Sequence, residues 1–137
     1  MPPMGWDEPR EQLRIRALSS GVRDRYEREL RDVQRHFVDD PSGAVRKADR
    51  LAQQAMRERG FPVEDFEQHA ADVAVDYPHV VAYYRLAHGV STANERGQAS
   101  TQDLRQALVH YRLLFNDLLG AGAEDEPLTR DTTDART

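Results

Sequence analysis

Val33-Gln34-Arg35-His36-Phe37-Val38-Asp39-Asp40-Pro41-Ser42-Gly43-Ala44-Val45 holds the end of one helix, a sharp stop and the start of the next. Upstream, Val22, Tyr26, Leu30, Val33 and Phe37 are spaced four, four, three and four, which puts them on one face of an α-helix. The stripe ends at two aspartates. Asp39 or Asp40 suits the N-cap of a following helix, because a short carboxylate accepts from the free amides of the first turn. Pro41 suits the first helical position, where its missing N–H costs nothing. Downstream the apolar pattern resumes as Ala44/Val45, Ala48, Leu51/Ala52 and Ala55/Met56, until Gly60 stops it behind Arg57-Glu58-Arg59. Its narrow alanine face permits close approach by a neighbouring helix.

The same punctuation runs along the whole chain and predicts five helical segments. A weak one over 9–18 is interrupted by Ser19-Ser20-Gly21, and strong ones follow over 22–38 and 41–59. Phe61-Pro62 opens a short segment over 63–75 with Phe66, Ala70 and Val73 as its apolar side. Asp76-Tyr77-Pro78 introduces another over 78–94. Ser100-Thr101-Gln102-Asp103 has the form of a capping box and precedes Leu104, Leu108, Tyr111, Phe115 and Leu118, with Gly120 as the expected stop. No run alternates as a strand would. The expected fold is all-α, a small antiparallel helical bundle of four to five helices with disordered termini. Residues 1–21 read as a weakly structured N-terminal segment, 22–119 as the bundle, and 120–137 as a disordered acidic tail. A faint internal echo places Tyr84-Arg85-Leu86 and Tyr111-Arg112-Leu113 each eight residues after an aspartate, Asp76 and Asp103.

Composition narrows the function classes. A chain of 137 residues suits one domain, and its 39% apolar and 31% charged side chains suit a bundle with a heavily solvated exterior. A net charge of −5 argues against a general polyanion binder. That charge is uneven: residues 1–60 carry 13 basic against 11 acidic side chains, and residues 61–137 carry 6 against 13. Without cysteine there is no disulfide, thiolate metal site or cysteine nucleophile. The amino terminus lacks a basic segment followed by an apolar one, and no apolar run approaches the ~18–20 residues that span a bilayer. The expectation is a cytoplasmic protein without a membrane partner.

Four groups of residues were candidates for function. Arg23, Arg25, Arg28, Arg31 and Arg35 invite phosphate contacts, but Asp24–Arg28, Arg28–Asp32, Arg25–Glu29 and Glu27–Arg31 are all four apart and predict a solvated, internally paired face. Nucleic acid is therefore not expected. Asp65, His69, Asp72 and Asp76, spaced four, three and four, form a polar stripe whose oxygen and imidazole ligands suit a divalent metal. It is a weak candidate, because the outer face of any amphipathic helix looks the same. In His79–His88, two adjacent stripes, Val80/Tyr84/Ala87/Ser91 and His79/Tyr83/Leu86/Val90, make an apolar-aromatic arc wider than one neighbour requires. Val80, Tyr83, Tyr84, Leu86 and His88 are accordingly the candidate interaction surface. Each serine is explained by a break, a cap or a helix surface, and no strand precedes Ser42-Gly43, so no catalytic residue and no cofactor is expected.

Phe37-Val38-Asp39-Asp40-Pro41, Ala44-Val45, Ala48-Asp49, Met56-Arg57, Arg59-Gly60-Phe61-Pro62, Ala70-Ala71-Asp72, Asp76-Tyr77-Pro78, Tyr84-Arg85…His88 and Leu104-Arg105-Gln106-Ala107 carry a resemblance. Over about residues 22–119 the chain resembles a group of uncharacterised actinobacterial all-helical proteins. The resemblance implies a small helical cytoplasmic protein and supplies no catalytic or ligand residues. Together these readings predict a non-enzymatic helical module for protein–protein interaction or self-association. Its partner would be another protein or a second copy, met through the tyrosine-rich surface or the Leu104–Leu118 stripe. The alternative is a helical domain that binds a small molecule or a divalent metal.

Overall fold

Asp40 closes one helix and opens the next. A computed structural model describes residues 14–124, with side chains through residue 120. It contains five helices among the described residues and no strand: α1 (Ser20–Asp39), α2 (Pro41–Arg59), α3 (Phe66–Asp76), α4 (Pro78–Glu95) and α5 (Thr101–Glu124). The protein is an all-α bundle. The Asp40 amide donates to the His36 carbonyl at 2.9 Å, while its carboxylate accepts from the Gly43 amide at 3.0 Å, so one residue serves both helix ends. Asp39 is the last residue of α1 and is exposed.

The other boundaries follow the same chemistry. Ser19, expected as a break, is the N-cap of α1 and accepts from the Val22 amide at 3.2 Å. Ser100 and Asp103 close a reciprocal capping box, each accepting the other's amide at 3.0 Å. The α3 helix starts at Phe66 rather than Val63, and the Asp65 carboxylate that precedes it bonds His69 instead of capping an amide. Gly120 does not end α5, which continues to Glu124: a glycine with ordinary helical φ weakens a helix by about 1 kcal/mol relative to alanine but does not turn it. The tail expected to be disordered therefore starts inside a helix, and residues 125–137 lie outside the described ones. So do residues 1–13, which include 9–13 of the expected first helix. Residues 14–19 are not helical.

That extended segment is held by the end of α2. Arg59, buried, donates from Nε to the Arg16 carbonyl at 2.8 Å and from its Nη1 to the Leu118 carbonyl at 3.1 Å, and its own carbonyl accepts the Arg16 amide at 2.8 Å. Gly60 follows with φ of 98°, and a Cβ there would overlap the Arg14 carbonyl oxygen. Glycine is needed at this point both to turn the chain and to let the segment pass.

The α2 helix is the centre of the bundle. It packs mainly on α1 and α5 and less extensively on α4, while α5 lies along α4. Ala44, Ala48, Ala52 and Ala55 are fully buried, and their small side chains let these neighbours approach. Larger groups fill the gaps: Leu30, Val33, Met56, Leu114, Phe115 and Leu118 are buried, and the Tyr26 and Phe115 rings lie 5.9 Å apart. The Tyr26 hydroxyl donates to Glu58 at 2.6 Å, and burial, followed by that carboxylate, pushes its acidity strongly down. No described helix is long and apolar enough to cross a membrane.

Candidate functional site

Of the two adjacent stripes of α4, one faces the core and the other is turned outward. Val80, Tyr84, Ala87 and Ser91 are all buried. His79 and Leu86 are exposed, Tyr83 and Val90 half-buried. Val80 and Tyr84 are therefore core residues and cannot present an interaction surface, whereas Tyr83 and Leu86 keep outward positions. The arc was wide because α4 packs on α5, α3 and α2. Tyr83 stacks between His79 (ring centroids 5.8 Å) and His110 of α5 (6.3 Å). His88 lies apart from that ladder, stacked on Tyr84 at 5.0 Å with an interplanar angle of 14°.

Through His88 the inner stripe reaches the one acidic side chain buried among the described residues. Asp49, only 8% exposed, occupies the centre of α2. Its Oδ1 accepts from the Tyr111 hydroxyl at 2.5 Å and from His88 Nδ1 at 2.9 Å, and its Oδ2 accepts from Gln53 Nε2 at 2.8 Å. An ionised carboxylate only accepts, so the imidazole proton facing it sits on Nδ1. The network joins α2, α4 and α5. Burial, then the adjacent carboxylate, drives the Tyr111 phenol far up from its ordinary pKa. Burial, then the Asp49 charge, pushes Tyr84 up to about 12. The Asp49 hydrogen bond raises His88 above its ordinary value against the opposing effect of burial.

An aspartate–histidine pair orients an imidazole, and a cavity of about 350 Å³ opens beside this one between the Val63–Gln68 segment and Tyr84. Its other polar groups are Glu64, Asp65, Glu67 and Gln68. Glu64 is engaged by Arg57 at 2.8 Å and Glu67 by Arg85 at 2.6 Å. Among the described residues no serine or threonine lines it. The cluster is built as a polar anchor of the core.

The metal stripe is divided. His69 pairs with Asp65 at 3.0 Å, while Asp72 and Asp76 line a separate cavity of about 350 Å³ with Ile15, Phe61 and Tyr77. Among the described residues no group of three or more histidine or acidic side chains is placed to hold a metal ion. On α1, only Arg25–Glu29 of the four expected ion pairs forms, at 3.9 Å, and Arg25 also lies 3.8 Å from Glu58. Arg35 pairs with Asp32 instead. Acids still interleave with arginines along that face, so it remains mixed in charge.

Sequence reasoning missed a groove. The α1 and α5 helices touch at Tyr26 and Phe115 but contact each other sparsely, and between them lies an open apolar trough of about 290 Å³ lined by Gln34, Phe37, Arg105, Leu108, Val109, Arg112 and Leu113. Val109 is 54% exposed, and Val38, next to Phe37 on α1, is 81% exposed. The signal available was Val109 itself, an apolar residue beside the buried α5 stripe.

The chain matches no family model, no curated protein and no solved structure. Fold and site alone define its class: an all-α bundle of five described helices, anchored by a buried carboxylate and bearing an apolar groove between its first and last helices.

Proposed function

We propose that this protein is a helical interaction module whose docking surface is the groove between α1 and α5, shaped to receive a helix of another protein. The observation that carries the reading is an open trough of Phe37, Leu108, Val109 and Leu113, in a bundle whose other large apolar side chains are mostly enclosed. A third helix laid in such a trough buries an apolar stripe at i, i+3, i+4 and i+7, the recurring mode of helix-in-groove recognition. On this reading the protein acts in the cytoplasm without catalysis. Its partner is protein rather than nucleic acid or membrane, which the mixed charge of the α1 face supports.

Amide chemical shifts followed during titration with a leucine-striped helical peptide test the proposal. The expected shifts cluster at Phe37, Leu108, Val109 and Leu113, and Val109→Asp removes them. Shifts confined to Tyr83, Leu86 and His110 would move the docking surface to the other side of the bundle, and an unchanged spectrum would refute the module altogether.

A further inference from the structure

The groove is positive where the molecule is negative. Arg105 and Arg112 line it, and no carboxylate does among the described residues, although the chain as a whole carries −5. These arginines are seven residues apart on α5, hence on the same edge and separated by about 10.5 Å of helix rise. Leu108 and Val109 lie between them. Arg105 reaches only Gln102, at 2.9 Å and three residues before it on the same helix, and Arg112 has no hydrogen-bond or ion-pair partner among the described residues. Elsewhere Arg57, Arg59 and Arg85 are engaged across elements. Two guanidinium groups are thus held at helical spacing around an apolar strip, with no acid among the described residues to satisfy them.

Resting on the docking reading above, we infer that the occupant of the groove is an acidic amphipathic helix of another protein, with carboxylates two turns apart flanking its apolar stripe. Bidentate guanidinium–carboxylate pairing at both ends of the apolar contact fixes the register of such a helix. A helix bearing lysines at the same positions meets like charge at both ends and is disfavoured.

The probe is a pair of fluorescent helical peptides with one shared leucine stripe, one bearing glutamates at the flanking positions and the other lysines, read by anisotropy at low salt. The glutamate peptide is expected to bind about tenfold tighter, with the preference shrinking at high salt as exposed charges are screened. Arg105→Glu with Arg112→Glu should reverse the preference, and Arg105→Gln with Arg112→Gln should abolish it; circular dichroism confirms that each variant stays folded. Equal binding of both peptides overturns the acidic partner and leaves the groove reading standing. Binding of neither refutes both. A sedimenting dimer that Val109→Asp dissolves assigns the groove to a second copy and likewise overturns the acidic partner.

Discussion

Replacing Asp49 with leucine tests whether the buried carboxylate is an anchor rather than a reactive group. The substitution removes the acceptor shared by Tyr111, His88 and Gln53. His88 and Gln53 are partly exposed and can turn to water, but the Tyr111 hydroxyl is fully buried and becomes an orphan donor. An unsatisfied buried hydroxyl costs about 1–3 kcal/mol, and each bond lost to a charged acceptor about 1.5–3. Against that stands the relief of several kcal/mol of carboxylate desolvation. The expected net loss is about 2–4 kcal/mol, read from urea unfolding at neutral pH with an unchanged slope. Adding Tyr111→Phe removes the orphan, so the double variant should return to within about 1 kcal/mol of the parent, because replacing both partners by apolar groups is nearly neutral. A loss below about 0.5 kcal/mol for the single variant, or plain additivity in the double-mutant cycle, would sink the anchor account.

Two further outcomes follow from the same network and from the α1–α2 joint. Because the Asp49 hydrogen bond raises His88 above its ordinary value of 6.5, the stability it contributes is fully present below that pH and fades as pH rises through the elevated value. As pH is raised from that ordinary value, the urea midpoint should therefore fall more in the parent than in His88→Gln, and equal falls would contradict this. Asp40→Ala should cost about 1 kcal/mol in thermal unfolding, whereas Asp39→Ala should stay within about 0.5; a reversed order would assign the cap to the wrong aspartate.

Helix identity was legible because caps and apolar spacing are local. Asp40-Pro41, Ser100…Asp103 and Gly60 each act on atoms within a few residues, so their patterns carry to the structure directly. The buried polar centre was harder to see, yet it left a trace: Val45, Asp49, Ala52 and Met56 are spaced four, three and four, so Asp49 stands inside an apolar stripe. The echoed tyrosines, Tyr84 and Tyr111, likewise occupy apolar stripes and converge on that carboxylate's field from two helices. The tyrosine-rich arc misled because spacing gives the angle of a side chain about its own helix, not the number of neighbours around it. The groove left only the trace of Val109 for a related reason: it lies between α1 and α5, helices joined by more than 60 residues of chain.

The buried carboxylate has a structural consequence that its modest net energy hides. The buried side of α2 includes four alanines, Ala44, Ala48, Ala52 and Ala55, and small side chains of equal size do little to fix the sliding position of a neighbouring helix. Asp49 breaks that degeneracy. A slip of α5 by one turn would bring Ala107 or Leu108 in one direction, or Leu114 or Phe115 in the other, against the carboxylate in place of Tyr111. None of these donates a hydrogen bond, so each slipped state leaves a buried charge without its closest partner, at a cost of several kcal/mol. The native alignment is thereby chosen by penalising its competitors rather than by deepening its own minimum. Leu108 and Arg112 flank Tyr111 in the chain and line the groove, so the bond that sets the register of α5 inside the bundle also sets where the groove's arginines stand outside it.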